Sequence, residues 1–245
     1  EQFFQRVDKI FGEMILARAE LDQLGEWGRG RLRVGASAAA CQYILPSVLR
    51  EFKKEFPKCR LSVEPGDTKE IVESLRANAI DVAVTLEPER ESDFAFSPLF
   101  TDELMFLVNP KHPWAEARRA VRMEIPREQY ILYFRNSRTF EQIENYFRTE
   151  KMVIKSVIDM GSMSAIKELV KLGLGVTILA PWVAQNELTK KSLVALPLGR
   201  RKLKRQWGVL YWKERPMGWA EDTFIKLCQS GARQFAASNG LRAHV

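Results

Sequence analysis

The sequence predicts an α/β protein made of two strand–helix units, and three observations point there. A β-α-β-α-β pattern runs from Leu32 to Thr85, and a second alternation of strands and helices runs from Leu104 to Leu179. Two further extended runs and a long amphipathic helix close the chain. Alternating elements of this kind form parallel sheets with helices on their faces.

The first unit opens at residues 31–35, where Leu32 and Val34 alternate with arginines as a strand requires. Small residues follow from Ser37 to Cys41, and then Leu45, Val48, Leu49, Phe52 and Phe56 share one helical face until Pro57 stops it. Residues 61–64 alternate as a second strand. After the Pro65-Gly66 turn, Asp67-Thr68-Lys69-Glu70 spells a capping box ahead of Ile71, Val72 and Leu75. Residues 80–86 (IDVAVTL) have the β-branched, apolar character of a buried parallel strand. Right-handed crossovers make these elements one half of a doubly wound sheet, whose ligands sit beyond the carboxyl ends of its strands.

In the second unit, residues 104–108, 130–134, 153–158 and 176–179 read as strands. A helix carries Phe140, Ile143 and Phe147. Another, capped by Ser162 or Ser164, carries Ile166, Leu169, Val170 and Leu172, with Gly173 placed to end it in the left-handed region. Residues 193–198 and 206–212 are extended, and 219–236 form the last helix. If the chain returns to its first unit, paired crossings join the lobes near 96–102 and 196–206. The expected division is 32–98 with 205–237 as lobe I, and 99–204 as lobe II.

Ahead of this body, Phe3, Val7, Ile10, Met14, Ala17, Leu21 and Leu24 recur at alternating spacings of four and three, a heptad seam for a dimerising helix over 1–25. Gly25, Gly28 and Gly30 then break the chain. The opening residues have neither an initiator Met nor the pattern of a signal peptide, as expected of a piece of a longer protein.

The 46% hydrophobic and 28% charged content is that of a soluble globular protein, and no apolar run is long enough to span a bilayer. Three scattered cysteines fit a reducing cytoplasm, where the likeliest role is packing. The net charge of +7 permits an acidic partner without requiring one. Part of the excess lies in RRKLKR, Arg200 to Arg205, which reads as a solvated connection between strands.

Catalytic chemistry finds little support. The two histidines, His112 and His244, have no metal-ligand spacing, and no nucleophile elbow, P-loop or dinucleotide loop is present. Neither an enzyme, a metal site nor a cofactor is expected. Asp81 and Asp159 border strands without a catalytic partner. What remains is a set of polar groups at strand ends in both units: Ser37, Thr85, Asn136, Ser137 and Arg138. Such hydroxyl, amide and guanidinium groups suit reversible binding of a small anion or polar metabolite.

The chain resembles the linker helix and effector-binding domain of a LysR-type transcriptional regulator. The resemblance rests on RLRVGAS after the glycine break, on ILPSVLREFKKEFP, on AIDVAV, on the stretch from Leu99 to Pro113, and on AIKELVKLGLGVTILAP. It implies two Rossmann-like lobes of the periplasmic-binding-protein type II kind, behind a winged helix-turn-helix domain that would precede Glu1. It also implies a cytoplasmic homodimer or homotetramer that acts on promoter DNA through that preceding domain. A small effector would lie between the lobes, contacted by Ser37, Ala38, Ala39 and Ala40, by Asn136, Ser137 and Arg138, and by Gly161 and Ser162. Helices equivalent to residues 43–56 and 162–172 pair antiparallel in family members. Ala39 and Gly161 stand where sulfate-type responders carry hydroxyls, which tells against tight oxyanion binding and leaves a larger or more apolar ligand open. A solute-binding protein of a transport system shares the fold and is the alternative, although a heptad helix serves no purpose in a monomeric carrier.

Overall fold

The computed structural model describes residues 30–89 and 92–244. The seam of Phe3, Val7, Ile10, Met14, Ala17, Leu21 and Leu24 lies outside them.

Strand β1 (Arg31–Ala36) buries Leu32, Val34 and Ala36, and it lies between two parallel neighbours, β2 (Arg60–Pro65) and β3 (Val82–Leu86). From β1 the chain passes through a single π-helical turn (Ala40–Ile44) into α1 (Leu45–Glu55), which tolerates Pro46 in its first turn because no N–H is needed there. Helix α2 (Thr68–Arg76) leads from β2 to β3 and opens with the expected capping box. Alternation along β3 divides the packing. Val82 and Val84 face Phe52 of α1, whereas Ala83 faces Ile71 and Leu75 of α2. The closing helix α7 (Trp219–Asn239) joins α1 on its side, with Phe224 edge-on to Phe52 at 6.1 Å. Burying a phenylalanine such as Phe52 contributes roughly 1.5–3 kcal/mol.

Two long antiparallel strands carry the chain between lobes. Strand β4 (Phe94–Val108) runs beside β9 (Leu203–Trp212), and β9 lies against β3. The register slips between Pro98 and Phe100, where proline withholds a ladder donor. Beyond Leu104, β4 pairs with β7 (Thr177–Leu179) and β8 (Val194–Pro197) and so belongs to the second lobe. That lobe is extended by β5 (Gln129–Leu132) and β6 (Ser156–Asp159), parallel to each other, with a bridge from Tyr130 to Val176. The two-residue β10 (Arg242–Ala243) covers part of β4. The expected return of the chain is therefore present, and the limits drawn at 98/99 and 204/205 fall inside β4 and β9.

The second lobe's helices are α3 (Pro113–Ala117), α4 (Arg138–Thr149), α5 (Met163–Lys171) and α6 (Gln185–Thr189). Ser137 caps α4 and Ser162 caps α5, each hydroxyl accepting a backbone N–H three residues on. Gly173 takes the left-handed φ of +77° that ends α5. Two sequence expectations need correction. Residues 94–103, whose apolar pattern Pro98, Asp102 and Glu103 interrupt, belong to strand β4. The strand over 177–179 ends before Pro181, which begins the 3₁₀ turn Pro181–Ala184 leading into α6. The run RRKLKR is exposed through Lys202 and again at Lys204, but Arg205 is buried.

Candidate functional site

The carboxyl ends of β1, β2 and β3 point into the space between the lobes. Ser37 follows β1. Its N–H donates to the Val84 carbonyl at 3.3 Å, and its hydroxyl accepts the Ala40 N–H at 3.3 Å. Gly66 follows β2, its N–H donating to the Ala36 carbonyl at 3.1 Å, which holds the two loops side by side. Beneath them the hydroxyls of Thr68 and Thr85 are 2.9 Å apart and buried.

Asp67 caps α2 and also faces the other lobe. Its backbone N–H donates to Glu70 Oε2 at 2.8 Å, and its own Oδ1 accepts the Arg138 N–H, the first of α4, at 3.1 Å. Carboxylates are favoured at helix N-termini by the dipole and by free N–H groups. One carboxylate thus serves two helix starts, one in each lobe. Burial nevertheless pushes the Asp67 carboxyl above its ordinary value, against the lowering effect of the backbone N–H groups. Further bridges cross between the lobes. Lys69 pairs with Glu141, Arg138 Nη1 donates to Glu89 Oε1 at 2.6 Å, and the Tyr43 hydroxyl donates to the Val183 carbonyl at 2.9 Å. That carbonyl also accepts Lys167 Nζ at 3.0 Å, and the same ammonium pairs with Glu187 at 3.0 Å.

The floor of the cleft is a buried ion pair on the crossing strands. Asp102 of β4 accepts Arg205 Nε at 2.9 Å and Nη2 at 2.5 Å, and its Oδ2 also accepts the indole N–H groups of Trp182 and Trp207, each at 2.9 Å. Arg205 Nη1 reaches Thr139 Oγ1 at 2.9 Å. A guanidinium and a carboxylate with this many hydrogen bonds are tolerated in a low-dielectric setting that would be costly to either alone.

Around these groups lies about 500 Å³ of atom-free space, part of it continuous with solvent. Its first-lobe wall is Ser37, Ala38, Ala39, Gly66, Asp67, Thr68 and Leu86. Tyr133, Thr139, Met163, Leu179, Ala180 and Val183 form the facing wall, above Arg205 and Trp207. The mix of apolar walls with few polar groups suits a small organic ligand.

Of the residues expected from sequence, Ser37, Ala38 and Ala39 line this space. Ala40 is fully buried behind them, and Thr85 is buried under Thr68. Ser137 is also buried and spends its hydroxyl on its cap, so what reaches the cleft region from this loop is the Arg138 N–H. Asn136, Gly161 and Ser162 are exposed and are not among the lining residues. Gly161 packs on Phe134, where an added Cβ would fall 2.4 Å from the ring. Asp67 lies at the carboxyl end of β2, where ligands of such sheets sit, whereas Thr139, Arg205 and Trp207 carry no local sequence signal as lining residues. Asp81 is paired with Arg33 at 2.6 Å, at the far ends of β1 and β3. Asp159 is paired with Arg135 at 2.9 Å. Among the described residues no group of three His, Cys, Asp or Glu side chains is placed to hold a metal ion, and no helix is long and apolar enough to cross a membrane.

Two α/β lobes joined by crossing strands, with a cleft between them, define the periplasmic-binding-protein type II-like fold. The chain belongs to the LysR substrate binding domain family, whose model matches residues 26–233. The HTH-type transcriptional regulator CysL of Bacillus subtilis is 24% identical over 208 residues, covering 85% of this chain and 70% of the relative. The effector-binding domain of QuiR in complex with shikimate superposes with a TM-score of 0.72 at 20% identity, covering 84% of this chain and 98% of that one. The regulatory domain of Synechocystis CcmR in complex with 2-PG gives 0.73 at 23% identity, covering 83% and 98%. The family is one of transcriptional regulators, and the transport-carrier alternative has no support among these relatives.

Proposed function

We propose that this chain is the ligand-sensing and oligomerising region of a LysR-type regulator that binds a small effector in the interlobe cleft. The single observation that carries the reading is the cleft itself, with the β1 and β2 loops facing the start of α4 and a buried Asp102–Arg205 pair beneath them. Two structural neighbours hold small molecules, shikimate and 2-PG, which is consistent with an organic occupant here. Lobe I is 32–98 with 205–237 and lobe II is 99–204. Assembly as a homodimer or homotetramer is assigned to residues 1–25, which carry the heptad seam.

The effector acts by binding one lobe arrangement better than another. The contacts crossing the cleft are individually modest, so a differential affinity of a few kcal/mol redistributes the arrangements. The change passes through residues 1–25 to a winged helix-turn-helix domain on promoter DNA in the cytoplasm. The chain performs no catalysis of its own. Ser37, Ala38 and Ala39 make the first-lobe contacts. Ala40 and Thr85 support them from behind, as Ser137 supports Arg138. The test is effector-dependent transcription by the regulator carrying its DNA-binding domain. Ser37→Trp, which fills the mouth of the first loop, should abolish the response while promoter binding persists; an unchanged response rejects this placement.

A further inference from the structure

The cleft holds an imbalance of charge that bears on what it accepts. Its cation, Arg205, is neutralised by Asp102 through two hydrogen bonds and spends its remaining nitrogen on Thr139. Asp67 has no such partner: among the described residues no cationic side chain forms an ion pair with it. Lys69, in the same helix, pairs with Glu141, and the Arg138 guanidinium, whose backbone N–H meets Asp67, pairs with Glu89 and Glu141. Asp67 is held instead by backbone N–H groups of Arg138 and of its own helix.

The Asp67 side chain lines the cleft, with its Oδ1 on the Arg138 N–H at 3.1 Å, so a donor entering from the open side can share its carboxylate oxygens with the backbone N–H groups. It is also costly to ionise there, since burial outweighs the N–H groups that favour its charge. An incoming donor relieves that cost, and an incoming oxyanion without a proton to give adds to it. Because one carboxylate already caps both α2 and α4, the place where two helix starts would attract a foreign anion is occupied by the chain itself. The walls on either side, Leu86, Met163, Leu179 and Val183, are apolar.

We propose that Asp67 sets the effector class: a small organic molecule that presents a hydroxyl or ammonium donor to this carboxylate, with an apolar body against the facing lobe, and not an inorganic oxyanion. The proposal rests on the cleft being the effector site. Ser37 lies in the neighbouring loop, so an acid group on the same molecule has its own donors a strand spacing away, about 5 Å. Hydroxy acids and amino acids satisfy both loops.

The experiment is a calorimetric and thermal-shift comparison on the full chain, using matched probes. These are shikimate against cyclohexanecarboxylate, lactate and alanine against propionate, and a wider set of hydroxy acids, amino acids and polyols, with sulfate and phosphate alongside. Binding is expected only among donor-bearing probes, with affinity at least tenfold weaker in both Asp67→Asn and Asp67→Ser, two residues that retain helix capping. Donor-free acids or sulfate binding as tightly as their counterparts would overturn the role of Asp67, as would a panel silent throughout. Ser37→Trp separates the two readings. A probe whose binding survives it lies outside the cleft, and it is then the cleft assignment that fails.

Discussion

Asp102 accepts hydrogen bonds from one guanidinium and two indoles at a point where both crossing strands and the turn of Trp182 meet. Removing its charge leaves Arg205 buried without a counter-ion, which costs far more than a surface pair. Asp102→Asn is therefore expected to destabilise the chain by roughly 3–5 kcal/mol in urea unfolding. The double change Asp102→Asn with Arg205→Met, which keeps an acceptor for the two indoles, should recover part of that loss, and equal losses in both variants would contradict the argument. These two residues were legible in principle. Arg205 shares a strand face with Trp207 and Val209, and Asp102 shares one with Phe100 and Leu104, all four companions buried. The cue was masked because Arg205 ends a basic run, and five of its six residues suggested a solvated segment. Asp67 shows the opposite failure: its capping role was read from sequence, but nothing local reveals that α4 begins beside it.

Helix starts are where local sequence was most informative. The Asp67 capping box, Ser137 and Ser162 follow from side-chain chemistry within four residues, whereas β4 depends on a distant partner strand to override proline and two acids. At the start of helix α7, Glu221 accepts the Gly218 N–H at 2.8 Å and the Arg215 guanidinium at 2.5 Å. Burial raises the Glu221 carboxyl above 4.5, although the Gly218 N–H and Arg215 pull it down. A carboxyl with a raised folded pKa binds more protons folded than unfolded, so its contribution falls as pH rises from the unfolded value through the folded one. Wild-type stability relative to Glu221→Gln should therefore decline as pH is raised from about 4.5 towards neutrality, as read from denaturation midpoints. A difference that grows with pH would contradict the assignment.

At the scale of the molecule, the two-lobed architecture was legible because hydrophobic periodicity and crossover handedness leave few topologies for alternating strands and helices. The cleft was less legible, since it is assembled from loops about 30 to 170 residues apart in the chain, and only spatial closure decides which of them meet. Ser37, Ala38 and Ala39 line it, while Asn136, Gly161 and Ser162 face outward, because their loop positions constrain distance along the chain and not direction. The contacts from Asp67 to Arg138 and from Tyr43 to Val183 tie the lobes at two separated points, so a ligand seated between them bears on both. The most direct measurement is calorimetric titration of the first organic probe found to raise the melting temperature, against wild type and Ser37→Trp. At a hundred times its dissociation constant such a ligand stabilises the fold by about 2.7 kcal/mol. The expected result is saturable binding at one site per chain in wild type and none in Ser37→Trp, with both proteins equally folded. Undiminished binding to Ser37→Trp would contradict an effector site between the lobes.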